Sequence, residues 1–262
     1  MRKAIALLIL SIFILYIIGI NGVTAYALFQ SEEYNLYKEG VVMVYNPLGN
    51  DVGTAFFINS HYLITANHVV ENSSKIYAIR GDQIYPLKLI YANSTYDFAI
   101  LYLNASIQYY AFPLALPQVG ESVSVLGYPG INYFILNLAE FSPTLALEVY
   151  SNQPSYSQGY IGDIFNNTLI QFTAPVDEGD SGGPIIAGGS VVGYVDFALP
   201  PGTFGSVTAY FYGFSISAVI PILNSMHIQY FLTPYGLNVE DVLIGLGVFI
   251  ILIIVIVAVS RR

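Results

Sequence analysis

The chain has 262 residues, a formal net charge of −9 at pH 7 and no cysteine; 55% of its residues are hydrophobic and 10% charged. That length allows one large domain or two small ones, and the acidic balance removes the basic patches needed to hold nucleic acid. Without thiols there is neither a disulfide framework nor a cysteine metal site, so stability has to come from an apolar core.

Much of the hydrophobic excess sits at the two ends. Arg2 and Lys3 precede an uncharged run from Ala4 to Ile20, and Thr24-Ala25-Tyr26-Ala27 follows with small residues at the positions of an Ala-x-Ala cleavage site. Residues 1–27 therefore read as a secretory signal peptide, with a retained signal anchor as the alternative. At the other end Val242 to Val259 is continuously apolar, long enough to span a bilayer at about 1.5 Å per residue. Arg261 and Arg262 close it, and positive charge beyond a span marks the cytoplasmic side. The expectation is a cell-membrane protein with a single C-terminal anchor over residues 241–262 and an exterior domain over 28–240.

Between these ends only Lys38, Lys75, Arg80 and Lys88 are basic, while nearly all the carboxylates lie there. Leu28 to Glu39 reads as a polar lead-in. Strand-like segments rich in β-branched and aromatic residues follow at Val41–Tyr45, Gly53–Ile58, Tyr62–Thr65, Ile84–Tyr91 and Phe98–Tyr102, separated by turn-forming clusters. A second series runs Ser122–Leu126, Tyr133–Tyr150, Thr168–Phe172, Pro184–Ile186, Ser190–Val195 and Thr208–Ile216. Two consecutive β units of this size predict an all-β fold of two antiparallel barrels, the first over about 40–112 and the second over about 119–218, joined through the two prolines of Pro113 to Gln118. Ile220 to Phe231, beginning with Pro221, reads as a short terminal helix. Four Asn-x-Ser/Thr triplets begin at Asn72, Asn93, Asn104 and Asn166 and fit glycosylation on an exported face.

The chemistry-bearing stretch is Gly179-Asp180-Ser181-Gly182-Gly183-Pro184. A serine between glycines can present its hydroxyl while neighbouring backbone N–H groups point at the same place, the arrangement of an oxyanion hole. Serine needs a general base within reach, and that base needs a carboxylate to orient it. Of three histidines, His68 lies in Leu63-Ile64-Thr65-Ala66-Asn67-His68-Val69-Val70, and Asp97 lies in Tyr96-Asp97-Phe98-Ala99-Ile100-Leu101. A carboxylate opening an apolar strand is costly unless paired, and an imidazole is such a partner. His61 and His227 read as ordinary surface or loop residues.

At these three segments the chain resembles the trypsin/chymotrypsin-like serine proteases, closest in flavour to their HtrA-like branch. The order His, Asp, Ser agrees, and Gly53-Thr54-Ala55, Val119-Gly120-Glu121 through Gly127-Tyr128-Pro129, and Gly213-Phe214-Ser215 are secondary echoes, so the resemblance covers roughly residues 40 to 223. It implies the chymotrypsin-like double barrel, with the site in the cleft between barrels. It also implies Ser181 as nucleophile, His68 as general base and acid, Asp97 as its orienter, and the amides of Gly179 and Ser181 as the oxyanion hole. No cofactor and no metal are implied, and the expected partner is a protein or peptide substrate. In this family the residue six before the serine floors the specificity pocket. Here that is Pro175, with walls from Tyr194 to Ala198 and from Gly213 to Phe214. Proline cannot pair a lysine or arginine, and the Ala198 methyl would narrow the slot, so cleavage after Ala, Val, Leu or Ile is expected. An Asp196 turned into the pocket would instead favour basic side chains.

Other readings compete. Gly179-Asp180-Ser181-Gly182-Gly183 also satisfies Gly-x-Ser-x-Gly, with Asp196 and His227 following in α/β-hydrolase order, but that fold needs a helix directly after the serine. From a different class, the chain could be a catalytically silent, membrane-tethered peptide-binding module on the same barrels. The chain also departs from the resembled family. No PDZ domain follows, and no Ile-Val-Gly-Gly start is visible to pair with Asp180, which leaves activation by cleavage open. Nothing in the sequence sets an oligomeric state.

Overall fold

The computed structural model describes residues 31–49, 51–129, 153–203 and 209–233. Two closed six-stranded antiparallel barrels account for nearly all of the regular structure. The first comprises β1 (Val41–Asn46), β2 (Asp51–Phe57), β3 (Tyr62–Ala66), β4 (Ile76–Arg80), β5 (Gln83–Asn93) and β6 (Phe98–Leu103), in the order β1-β2-β3-β6-β5-β4. The second comprises β7 (Ser122–Gly127), β8 (Ser155–Phe165), β9 (Leu169–Phe172), β10 (Pro184–Ala187), β11 (Ser190–Leu199) and β12 (Tyr210–Ser215), in the order β10-β11-β12-β9-β8-β7.

Several strands read as continuous apolar runs because both of their faces are covered. In β1, Val42 and Val44 fill the first barrel while Val41 and Met43 join a core shared between the barrels. In β6, Ala99, Leu101 and Leu103 point inward, and Phe98 and Ile100 belong to the shared core. The second barrel has its own interior around Val123, Val125, Ile170, Phe172, Ile185 and Val192. Phe98, Phe112, Leu114, Tyr128, Ile186 and Tyr194, all buried, pack in the seam. Burying a large apolar side chain there contributes about 1.5–3 kcal/mol, so the seam is a permanent joint.

Differences from the sequence reading are local. β4 and β8 were not expected, and the expected strand Tyr133–Tyr150 lies outside the described residues. The polar lead-in is helical over residues 31–37. Tyr34 Oη donates to the Pro154 carbonyl at 3.0 Å, and the buried Tyr37 ring lies 5.7 Å from that of Phe112. The expected helix over 220–231 is shorter: it covers Ile220–Ser225 and ends because His227 takes a left-handed conformation, φ 55°. The amides of His227 and Ile228 then donate to the Asn224 and Leu223 carbonyls, a closure that satisfies orphan carbonyls at a helix end. The expected signal segment (1–27) and the apolar run 242–259 lie outside the described residues. Among those described, no helix is long and apolar enough to cross a membrane.

Candidate active site

The first half of the site follows from strand register. Ala66, the last residue of β3, pairs with Phe98, the first of β6, so Asn67 and Asp97 face each other just beyond the paired ends. Residues Asn67–Val70 turn into one helical turn with no side-chain cap from its own N-cap residue. Its orphan amides go to Asp97 instead: Asn67 N donates to the Asp97 carbonyl at 3.1 Å, and His68 N to Asp97 Oδ1 at 3.0 Å. The second carboxylate oxygen, Oδ2, takes His68 Nδ1 at 2.5 Å. Asp97 thus holds both the backbone and the ring of His68. The aspartate sits at φ 45°, a left-handed position that Asp tolerates better than most residues. The turn leading into it is closed by Asn93 Oδ1, which accepts the Thr95 and Tyr96 amides at 2.9 and 3.0 Å.

The second half repeats the device in the other barrel. Pro184 pairs with Tyr194, and just past that pair Val195 N donates to Gly183 O at 2.9 Å and Gly182 N to Val195 O at 2.8 Å. Ser181 and Asp196 are thereby neighbours, and Ser181 Oγ donates to the Asp196 carbonyl at 3.2 Å. Gly179 and Gly182 lie at φ 95° and 81°. A Cβ on Gly182 would stand 2.4 Å from the Thr54 carbonyl, so both its conformation and its surroundings demand glycine. Among the described residues the amides of Gly179 and Ser181 have no hydrogen-bond partner, whereas those of Asp180, Gly182 and Gly183 donate to carbonyls at 2.8–3.1 Å. The two uncommitted amides are the pair expected to form the oxyanion hole.

Thr54, on β2, couples the halves. Its amide donates to Ser181 O at 2.9 Å, its hydroxyl to Gly179 O at 2.8 Å, and that hydroxyl accepts the Tyr128 amide at 3.0 Å. Its own carbonyl accepts the Thr65 hydroxyl at 2.7 Å. A second tie runs from Tyr194, whose fully buried ring carries its hydroxyl to the Tyr96 carbonyl at 2.6 Å, beside Asp97. These ties were not legible as site features. Gly53-Thr54-Ala55 stood out only as a motif, and the Tyr194–Tyr96 contact spans 98 positions.

Electrostatics concentrates on one cluster. The hydrogen bond to Asp97 raises the His68 imidazole above its usual value; burial opposes this, and the charges of Asp97, Asp196 and Glu71 add to it. Burial works to raise Asp97, but hydrogen bonds from His68 and Asp196 outweigh it and hold the carboxyl below its usual range. Asp196 is pushed up to about 7 by burial, then by its hydrogen bond to Asp97 and that neighbour's charge. Its Oδ1 is 3.8 Å from His68 Nδ1. Among the described residues these three side chains alone bring imidazole and carboxylate ligand atoms within 4.8 Å of one another. His68 Nδ1 is already given to Asp97, so the trio is organised for sharing protons.

Of the other expected site residues, Tyr194 is spent in the seam and Gly213 is buried opposite Val195, where a Cβ would meet the Tyr194 carbonyl at 2.3 Å. Pro175 and Ala198 are exposed. The Asp196 carboxyl is turned to His68 and Asp97. Asp180, next to the serine, is buried: Oδ2 accepts the Asp177 amide at 2.9 Å, and Oδ1 has no partner among the described residues. Burial pushes this carboxyl up to about 6, with the Asp177 charge adding to it. His61 binds the Leu103 carbonyl through Nδ1 at 3.1 Å, outside the cluster. Ser181 is followed by strand β10 and not by a helix, which removes the α/β-hydrolase alternative.

The profile of the trypsin-like peptidase domain matches residues 53–193, just over half of the chain. The chain belongs to the trypsin-like peptidase family. Serine protease Rv3671c of Mycobacterium tuberculosis (strain ATCC 25618 / H37Rv) is 28% identical over 148 residues, covering 55% of this chain and 35% of that protein. The uncharacterized protein y4bJ of Sinorhizobium fredii is 31% identical over 155 residues, 57% of this chain and 22% of the relative. The chain thus matches about a third or less of the length of these curated relatives. Among solved structures, the serine endoprotease from Yersinia pestis superposes with a TM-score of 0.58 at 17% identity, covering 74% of this chain and 65% of that one. The inactive form of the Rv3671c protease gives 0.57 at 22% identity, covering 76% and 94%. At these identities the superpositions speak for the fold.

Proposed function

We propose that the chain is a serine endopeptidase that hydrolyses peptide bonds through His68, Asp97 and Ser181. The observation that carries this reading is the double grip of Asp97 on the ring and amide of His68. With Nδ1 held as a donor, Nε2 is left to accept a proton. In the acyl-transfer cycle Ser181 Oγ attacks the scissile carbonyl while its proton passes to His68 Nε2, and the amides of Gly179 and Ser181 receive the oxyanion. The imidazolium then gives its proton to the leaving amine, and water repeats the sequence on the acyl-enzyme. The Ser181 hydroxyl rests on the Asp196 carbonyl, and attack requires it to rotate toward the imidazole.

That resting position is also the one feature favouring a catalytically silent, peptide-binding module on the same barrels. Hydrolysis of a peptide library by the parent chain and not by Ser181→Ala or His68→Ala supports the endopeptidase. Binding without cleavage by the parent supports the module.

Specificity for Ala, Val, Leu or Ile before the cleaved bond is part of the proposal. Asp196 faces His68 and so is not free to pair an incoming lysine or arginine, whose unpaired burial would cost several kcal/mol. Predominant cleavage after Lys or Arg would contradict this assignment. Extracytoplasmic location and anchorage through residues 241–262 are proposed from the charge flanks of the two apolar runs.

A further inference from the structure

Asp196 has no role in the acyl-transfer steps above, yet it lies against all three side chains that do. Its carbonyl accepts Ser181 Oγ at 3.2 Å, its Oδ1 stands 3.8 Å from His68 Nδ1, and its carboxyl shares with Asp97 and His68 a cluster whose ligand atoms lie within 4.8 Å of one another. Two carboxyl groups packed this closely away from water cannot both ionise, so one of them keeps its proton. The surroundings decide which one. Asp97 accepts two N–H groups from His68, at 2.5 and 3.0 Å, which stabilise its ionised form. Asp196 is 12% exposed at its side chain and accepts no N–H among the described residues. The proton therefore resides on Asp196.

We infer that Asp196 is a positioning residue that works as a neutral acid, donating its carboxyl proton to Asp97 and so fixing the carboxylate that orients His68. This rests on the reading of His68, Asp97 and Ser181 as a catalytic triad. Loss of the Asp196 proton does two things at once. It removes the donor from Asp97, and it places a second anion beside the imidazole, which holds the ring in its cationic, non-basic form. The productive state is neutral His68 beside protonated Asp196. It exists in a window bounded below by the imidazole and above by Asp196, whose titrations are coupled and belong to the pair.

The titratable groups facing Asp196 are Asp97 and His68 from the first barrel. Tyr194 on the same strand and Tyr96 beside Asp97 interact with this cluster, and Glu71 acts on it through His68. No lysine or arginine among the described residues pairs with Asp196, so nothing cationic except the imidazole draws its proton off.

The test compares the parent full chain with Asp196→Asn, which keeps a donor but cannot titrate, and Asp196→Ala, which has neither property. The kcat and KM of each are measured on a peptide substrate across pH. In parallel, in the Ser181→Ala background, the His68 ring is titrated by NMR with and without Asp196→Asn. Asp196→Ala is expected to lower kcat by about tenfold with KM nearly unchanged, the effect of one lost hydrogen bond to a charged group. Asp196→Asn is expected to recover most of that loss, to remove the falling alkaline limb of the parent profile, and to leave the pH at which His68 titrates nearly unchanged, because the group it replaces is already neutral when the ring titrates. An alkaline limb that persists in Asp196→Asn, or a His68 titration that falls clearly in that variant, would overturn the inference, even if Asp196→Ala fails to fold. A parent that cleaves no peptide would overturn the triad reading instead, and the NMR titration would still decide whether Asp196 is neutral while His68 titrates.

Discussion

Two side chains at the site carry charges whose cost or benefit depends on pH. The folded-state value of Asp180 is raised to about 6 from 3.8, so its contribution is fully present below the unfolded value and is lost as pH rises through about 6. For a side chain at 4% exposure, a rise of this size corresponds to about 2–3 kcal/mol. Asp180→Asn should therefore flatten the difference in unfolding free energy between acid and neutral pH. Urea melts of parent and variant at pH 4 and pH 8 measure it, and parallel pH dependences would contradict the role given to burial. His68 is raised, and only the neutral imidazole accepts the serine proton. The rising limb of kcat/KM should therefore lie above the unperturbed histidine value of about 6.5. A limb at or below that value would mean that the carboxylate cluster does not act on the ring.

At the level of elements, the site is two strand-pair ends held against each other, and Thr54 is the tie. Thr54→Val keeps the shape of the side chain but leaves the Gly179 carbonyl and the Tyr128 amide without their partner, at a cost of about 1–3 kcal/mol. The Gly179 loop should loosen with it, so kcat is expected to fall more than KM rises. Chemical denaturation and steady-state kinetics on the same preparation check both halves. The elements carrying His68, Asp97 and Ser181 were legible because their strands are buried on both faces and end at distinctive residues. β8 was not: of its eleven residues only Ile161 is buried, and Gly159, Gly162 and several polar side chains erase any alternation. It is a strand because β7 and β9 pair with it on both sides. β4 is five residues long between charged or polar neighbours, too short for its period to stand out. The grouping of Asp196 with Asp97 was also hidden, since it depends on how one barrel is set against the other.

Across the whole molecule the catalytic groups come from different barrels, so their alignment depends on the seam. Phe98 contacts this seam one position from Asp97, and its ring lies 6.3 Å from that of Tyr194. Phe98→Ala should destabilise the protein by about 3–5 kcal/mol and depress activity well before global unfolding. Thermal melts followed alongside activity test this, and equal midpoints for the two signals would argue against a seam-controlled site. The claim on which the rest depends is that Ser181 is the nucleophile activated by His68 and held there by Asp97. Its most direct measurement is covalent labelling of the folded full chain by a fluorophosphonate probe, with the adduct mapped by mass spectrometry. The account predicts one adduct, on Ser181, formed rapidly by the parent, much more slowly by His68→Ala and Asp97→Asn, and not at all by Ser181→Ala. A folded parent that stays unlabelled, or an adduct on another residue, would contradict it.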